Sequence, residues 1–302
     1  MALGYYMMEK AANYFFLGVN ETPPLQGKTP YLGLVTGHGA DPADTWIEVY
    51  GGSYARRQIY FAIDSSGNMS LTSPIVFPTA TGDWLNVVGA VVFDQSSSGY
   101  ALFDIPWMDS NWDVVPSYHI TSGCICTIYT LPTYNGLGAI WRQMSVDGNY
   151  SDTYGAPSAQ FATEMMNWLF YTSVSPYTFP YPRTYSIAIG RQANSNPSQF
   201  YRFTGDWEEC QGTGYNKVAL AASDWEYHLY GINSYVTNKN EIVFTESAAA
   251  DWGYVEDAVL YAGTTPAFWA HLDVATTITE GKAFSIEAGK IRIYIDGTGI
   301  EI

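Results

Sequence analysis

The stretch from Glu241 to Asp296 restricts the fold more than any other, because a looser copy of it lies upstream. It holds four short apolar runs, Ile242–Phe244, Ala258–Tyr261, Phe268–Leu272 and Ile291–Ile295, each closed off by Gly, Pro, Asp or Thr. Short β-branched and aromatic runs at that spacing belong to antiparallel β structure. In the last run, Ile291, Ile293 and Ile295 alternate with Lys290, Arg292 and Tyr294, the pattern of a strand with one buried face. Upstream, Ile75-Val76-Phe77, Asp83-Trp84 with Val87, and Ala90–Phe93 repeat Ile242–Phe244, Asp251-Trp252 with Val255, and Ala258–Tyr261. Trp46, Glu48, Gly51, Tyr54 and Arg56 correspond to Trp207, Glu209, Gly212, Tyr215 and Lys217 at one constant offset of 161 residues. Further on, Tyr118, Ile120, Gly123 and Ile125 align with Phe284, Ile286, Gly289 and Ile291 at an offset of 166. The chain therefore reads as a tandem duplication of a β unit of roughly 140 residues.

The predicted fold class is all-β: two tandem antiparallel β-sandwich (jelly-roll-like) domains, each preceded by a short helix. The boundaries fall at 1–134 for the first helix and sandwich, 135–157 for a linker or arm, and 158–302 for the second, divergent sandwich. A chain of 302 residues, 47% hydrophobic, is long enough for two cores. Only 14% of residues are charged, whereas 25 are Tyr, which suits strands better than amphipathic surface helices with their long charged side chains.

Within each unit the order of elements is legible. Residues 3–18 place Tyr6, Met7, Ala11, Tyr14, Phe15 and Leu17 at near-helical spacing, with Gly18 as a stop, and Ala162–Tyr171 opens the second copy similarly. Pro-containing connectors follow in both copies, before strands at Tyr31–Val35 and Tyr185–Ile189. Ala55–Ile63 alternates as one strand with Ile59, Phe61 and Ile63 on a shared face. Residues 131–157 show little periodicity but contain Ile140 and Trp141, which as exposed groups would rest on a neighbour.

Charge and composition narrow the function classes. The net charge of −16 is shared about evenly between the copies and no basic block occurs, which argues against nucleic-acid binding. No apolar run reaches membrane-spanning length and no cleavable leader is present, so the expectation is synthesis in a cytoplasm without membrane insertion. The three cysteines read as buried or half-buried thiols of a reducing compartment. The four histidines, at 38, 119, 228 and 271, lack metal-ligand spacing, so no metal or other cofactor is expected. The dense acids Asp206, Glu208 and Glu209 in a Gly-rich surrounding read as solvated rather than as a glycosidase pair. Asp83-Trp84 and Asp251-Trp252 read as turns in which Asp caps backbone amides and Trp covers the core. There is no phosphate-binding glycine loop, nucleophile elbow or triad; no catalytic residue is assigned and no enzyme is expected.

The first copy carries two blocks that occur together: Glu48-Val49 followed by Gly51-Gly52-Ser53-Tyr54-Ala55-Arg56, and Phe77-Pro78-Thr79-Ala80 followed by Asp83-Trp84. That pair resembles a widespread group of small bacteriophage and prophage virion proteins commonly labelled tail-fibre proteins. In the second copy the first block has drifted to Gly212-Thr213-Gly214-Tyr215-Asn216-Lys217. The resemblance implies a non-enzymatic virion structural protein, made and assembled in the bacterial host cytoplasm. Its first expected role is decoration or cementing of the capsid surface; the alternative is a tail-fibre or baseplate component that contacts host carbohydrate. Expected partners are other virion proteins, namely the major capsid protein or tail proteins, and further copies of the chain, a trimer being one candidate. Candidate assembly contacts are Tyr5, Tyr6, Phe15, Phe16, Ile140 and Trp141. The structural anchors of the repeat are Trp46, Tyr54, Asp83, Trp84, Trp207, Tyr215, Asp251 and Trp252.

Overall fold

The computed structural model describes residues 5–38, 46–63, 69–106, 117–129, 144–145, 156–157, 159–192, 207–229 and 234–294. The class is all-β, every strand pair is antiparallel, and the described residues include two α-helices. Helix α1 (Tyr5–Phe15) precedes a sheet ordered β2 (Trp46–Glu48), β1 (Tyr31–His38), β8 (Gly89–Phe93), β9 (Ala101–Pro106), with β3 (Arg57–Gln58) also on β1. Three short pairs complete this half: β4 (Phe61–Ile63) with β5 (Met69–Leu71), β6 (Ile75–Val76) with β11 (Thr127–Ile128), and β7 (Asn86–Val87) with β10 (Tyr118–His119).

The second half follows the same plan. Helix α2 (Ala159–Leu169) precedes a sheet in which β14 (Tyr185–Gln192) takes the place of β1. It is flanked by β20 (Gly253–Ala262) and β21 (Thr265–Ile278) on one side, and by β15 (Trp207–Glu209) and β16 (Val218–Leu220) on the other. The hairpin β17 (Trp225–His228) with β18 (Tyr235–Asn238) and the pair β19 (Ile242–Thr245) with β22 (Phe284–Ile286) follow. Within the segment expected as an arm, β12 (Met144–Ser145) lies on β23 (Arg292–Tyr294) and β13 (Ala156–Pro157) lies on β21.

Two sequence readings shift. Ala55–Ile63 is not one strand: Ile59 is buried and its amide donates to the Pro30 carbonyl at 3.0 Å, which makes a corner between β3 and β4. The late alignment moves too. Trp84 N–H donates to the Ile120 carbonyl as Trp252 N–H does to that of Ile278, and Gly123 N–H donates to Ala80 as Gly281 N–H does to Ala248. Ile120 and Gly123 thus match Ile278 and Gly281, at an offset of 158 rather than 166.

The halves also share a core. One contiguous cluster of buried side chains runs from Met7 to Ile293. The ends of the two helices meet within it, with Tyr14 stacked on Trp168 at 4.4 Å and Phe15 edge-on to it at 5.1 Å. Their C-terminal rings cross over. Phe16, just past α1, meets Trp225 (5.5 Å) and Phe268 (5.9 Å) of the second half. Phe170, just past α2, meets Phe61 (5.7 Å) and Phe103 (5.5 Å) of the first. The registers make these seats equivalent: Phe103 pairs with Val92 as Phe268 pairs with Leu260. Hydrogen bonds from Gly27 N–H to the Thr172 and Ser173 carbonyls, and from the Arg183 guanidinium to the Tyr14 and Val19 carbonyls, tie the same junction.

Candidate functional site

Each half is built round a Tyr–Glu–cation group that the sequence spacing had marked. In the first, Tyr54 Oη donates to Glu48 Oε1 at 2.8 Å and accepts from Leu34 N–H at 2.8 Å. Burial, and then the Glu48 charge, push the Tyr54 hydroxyl far above its ordinary pKa, so it stays a donor. Arg56 clamps Glu48 with two bonds, Nε at 2.8 Å and Nη2 at 2.7 Å, and its Nη1 donates to the Gln95 and Ser98 carbonyls. Its guanidinium lies 3.4 Å from the Phe93 ring centre. The second half repeats this with Tyr215 donating to Glu209 (3.2 Å), Lys217 paired to Glu209 (3.1 Å), and Lys217 over the Tyr261 ring (3.5 Å).

The Trp anchors close the other side of each Tyr. Trp84 Nε1 donates to Gly52 O at 2.9 Å and Trp252 Nε1 to Thr213 O at 3.2 Å, and both rings are buried. Gly52, at φ 53°, lets the chain pass so close that a Cβ would stand 2.9 Å from Gly82 N. Asp83 accepts from Leu85 N–H at 2.8 Å and lies 3.1 Å from His119 Nε2; the Leu85 bond first, and then the imidazole, hold its carboxyl below the usual range. Asp251 accepts from Glu280 N–H instead.

In the first half a cleft of about 710 Å³ opens beside this group. Helix α1 presents Tyr6, Glu9, Lys10 and Asn13 to it, residues that share one face at i, i+3, i+4 and i+7 spacing. Strand β2 brings Trp46 and Glu48, and the turn from β8 to β9 brings Phe93, Gly99 and Tyr100. Tyr6 and Tyr100 stack face to face, centroids 4.3 Å apart and planes 5° apart. The turn is held by the wholly covered Asp94 carboxylate, which accepts from Tyr100 N–H (2.7 Å) and from Lys28 Nζ (2.6 Å). Burial lowers the Lys28 pKa, but bonds and charge from Asp94 and Tyr6 outweigh that and raise it. Glu21 is shared between Lys10 and Asn13.

The remaining sequence candidates are dispersed. Phe15 and Phe16 are fully buried by the chain's own residues. They are therefore spent inside the molecule rather than offered to a neighbour. The Tyr5 side chain, Ile140 and Trp141 lie outside the described residues. Trp207 packs on Ala188, Val259, Tyr261 and Trp269. Glu208 pairs with Arg191 at 2.7 Å while Glu209 turns to Lys217, so the two acids diverge; Asp206 lies outside the described residues. Cys210 is buried and its thiol is pushed up to about 11, chiefly by burial, whereas Cys124 is exposed, contrary to expectation. No group of three or more metal-binding side chains converges among the described residues. Sequence reasoning missed Tyr100, Tyr6, Glu9 and Lys10 as one group, because none of them has a like residue at the matching place in the second half.

A family model described as "Podophage GP4 fiber I protein gp80" matches residues 2–111. The match covers roughly the first third of the chain, including α1, the Tyr54–Glu48–Arg56 group and every residue lining the cleft. It supports a phage fibre-type protein. No curated protein matches the sequence. No helix among the described residues is long and apolar enough to cross a membrane.

Proposed function

We propose that the chain is a non-enzymatic structural component of a phage fibre, built from two copies of one β unit fused in tandem. The observation that carries this reading is the similarity of residues 2–111 to a fibre-protein family. The units would be 1–134 and 158–302, joined by 135–157. The repeated Tyr–Glu–cation group, the two Trp caps and the reciprocal seats of Phe16 and Phe170 support the duplication. A fibre position is preferred to decoration of the head for a physical reason. The capsid reading drew on the aromatic residues of α1 as a clamp for neighbours, and Phe15 and Phe16 are wholly covered within the chain. A structural rather than catalytic role fits the polar groups, since Glu48 is paired with Arg56 and Lys10 with Glu21.

The test is immunogold labelling of intact virions with antibodies against the purified chain, followed by cryo-electron microscopy of the labelled organelle. Label confined to fibres or the tail is expected. Label spread over the head at capsid-like copy number would overturn the fibre position and return the decoration role.

A further inference from the structure

We infer that the cleft between helix α1 and the β8–β9 turn binds a short, uncharged oligosaccharide. This stands without the fibre reading, since it rests on the cleft alone. The volume of about 710 Å³ falls within the ~300–1,000 Å³ range typical of small-ligand sites. Tyr6 and Tyr100 stack face to face, so each ring covers one face of the other, and Tyr100 remains 57% exposed. Tyr6 also has Lys10 and Lys28 over its ring, so the exposed Tyr100, with Trp46 in the same lining, is what offers an apolar ring with a polar rim, the complement of a sugar ring with its C–H face and hydroxyl edge.

The charged groups argue for the class of ligand. Lys10 is paired with Glu21, and Arg56 is clamped to Glu48, so their charges are already neutralised. Fixed ion pairs present acceptors and donors side by side, and a hydroxyl, which both donates and accepts, can bridge them without breaking either. Glu9 is exposed and has no ion-pair partner among the described residues, which leaves the lining net acidic and unfavourable to anionic glycans. A wholly apolar ligand would strip water from these ions with nothing in return.

The second half supplies an internal control. Its β20–β21 turn is two residues long, Gly263 and Thr264, with no aromatic residue at the place of Tyr100. At the helix position of Lys10 stands Glu164, which accepts from Tyr177 at 2.8 Å. Binding should therefore belong to the first half.

The experiment uses the purified full chain on an immobilised panel of neutral and acidic oligosaccharides, with saturation-transfer NMR of the same free compounds. Neutral members should bind and acidic ones should not. Tyr100→Ala removes an exposed ring and should weaken binding about tenfold, with an unchanged denaturation midpoint. Glu9→Gln, also at the surface, should weaken it about threefold. Tyr254→Ala, an exposed aromatic of the second half, should change nothing. The inference is overturned by silence across the panel in both assays, by preference for acidic glycans, or by undiminished binding in both Tyr100→Ala and Glu9→Gln.

Discussion

The two halves share a hydrogen-bonded frame and differ at one end of it. In both, a tyrosine hydroxyl bonds a strand amide and a glutamate, a cation caps that glutamate over an aromatic ring, and a buried Trp N–H closes the preceding loop. The difference lies at the turn between the paired strands β8–β9 and β20–β21. The first half spends Asp94 and Lys28 on holding a longer turn that lifts Tyr100 towards Tyr6. The second closes directly from Ala262 to Thr265, where Gly263 comes against Pro182 of the connector. The lesson is that buried polar bonds hold the unit while the turn sets what surface it shows, so one can vary without the other.

The largest effect should come from breaking what the halves hold in common, the exchanged helix ends. Removing residues 1–18 empties the seat of Phe16 on Trp225 and Phe268 and frees the Tyr185 hydroxyl from the Phe15 carbonyl. Residues 158–302 expressed alone should then lose cooperative unfolding, and coexpression of residues 1–134 should restore it. Within the full chain, Phe16→Ala and Phe170→Ala should each cost about 3–5 kcal/mol in chemical denaturation, as for large aromatic truncations in cores. A second half that unfolds cooperatively without the first would show the junction to be incidental.

Next in size are the two Trp caps. Trp84 and Trp252 are both buried and both donate to a loop carbonyl, so either truncation to Ala should cost about 3–5 kcal/mol. A gap of more than about 2 kcal/mol between them would exceed the spread expected of equivalent sites and would weaken the correspondence.

The cations should separate the halves. Arg56 has a nearly covered side chain and makes four bonds, two to Glu48 and two to turn carbonyls. Lysine cannot reproduce that planar fork, so Arg56→Lys should cost about 1–3 kcal/mol. Lys217 is a third exposed and meets Glu209 at a single 3.1 Å contact, so Lys217→Arg should change stability by less than about 0.5 kcal/mol. Equal responses at both sites would remove the asymmetry drawn between the turns.

Much of this frame was legible because its residues repeat at fixed spacing. Tyr54 with Tyr215 and Trp84 with Trp252 could be paired before any geometry was known. The late alignment failed for a specific reason. The motif Ile-x-x-Gly stands at both Ile278–Gly281 and Ile286–Gly289, close together in the second half, and both of these glycines take positive φ, at 83° and 76°. Local pattern cannot separate two turns of the same chemistry; the carbonyl that each amide finds can. The crossed helix ends were invisible likewise, since a buried Phe has the same spacing whichever sheet covers it. The cleft depends on Tyr6 and Tyr100 meeting across a long sequence gap, and neither has a like residue at the matching place in the other half.

The smallest effect concerns a pair that only the second half contains. Asp257 faces His271 across β20 and β21, where Gly89 faces Pro106 in the first half. His271 Nδ1 stands 2.5 Å from the nearly inaccessible Asp257 Oδ1. Burial alone would lower the imidazole pKa, but the Asp257 bond and charge, with Glu256, outweigh it and raise the value above 6.5. A raised pKa means that the folded state holds the proton more tightly. The pair's contribution is therefore fully present below about pH 6.5, the unfolded value, and is lost as pH rises through the higher folded value. Denaturation midpoints measured across that window should fall with rising pH, and Asp257→Asn should flatten the fall. Because the Gly89–Pro106 site carries no titrating group, probes of Trp84 and Trp252 during partial unfolding should place the pH response at Trp252. An equal response at Trp84 would mean that the clasped halves melt as a single unit, and that what the first half lacks locally it shares through the junction.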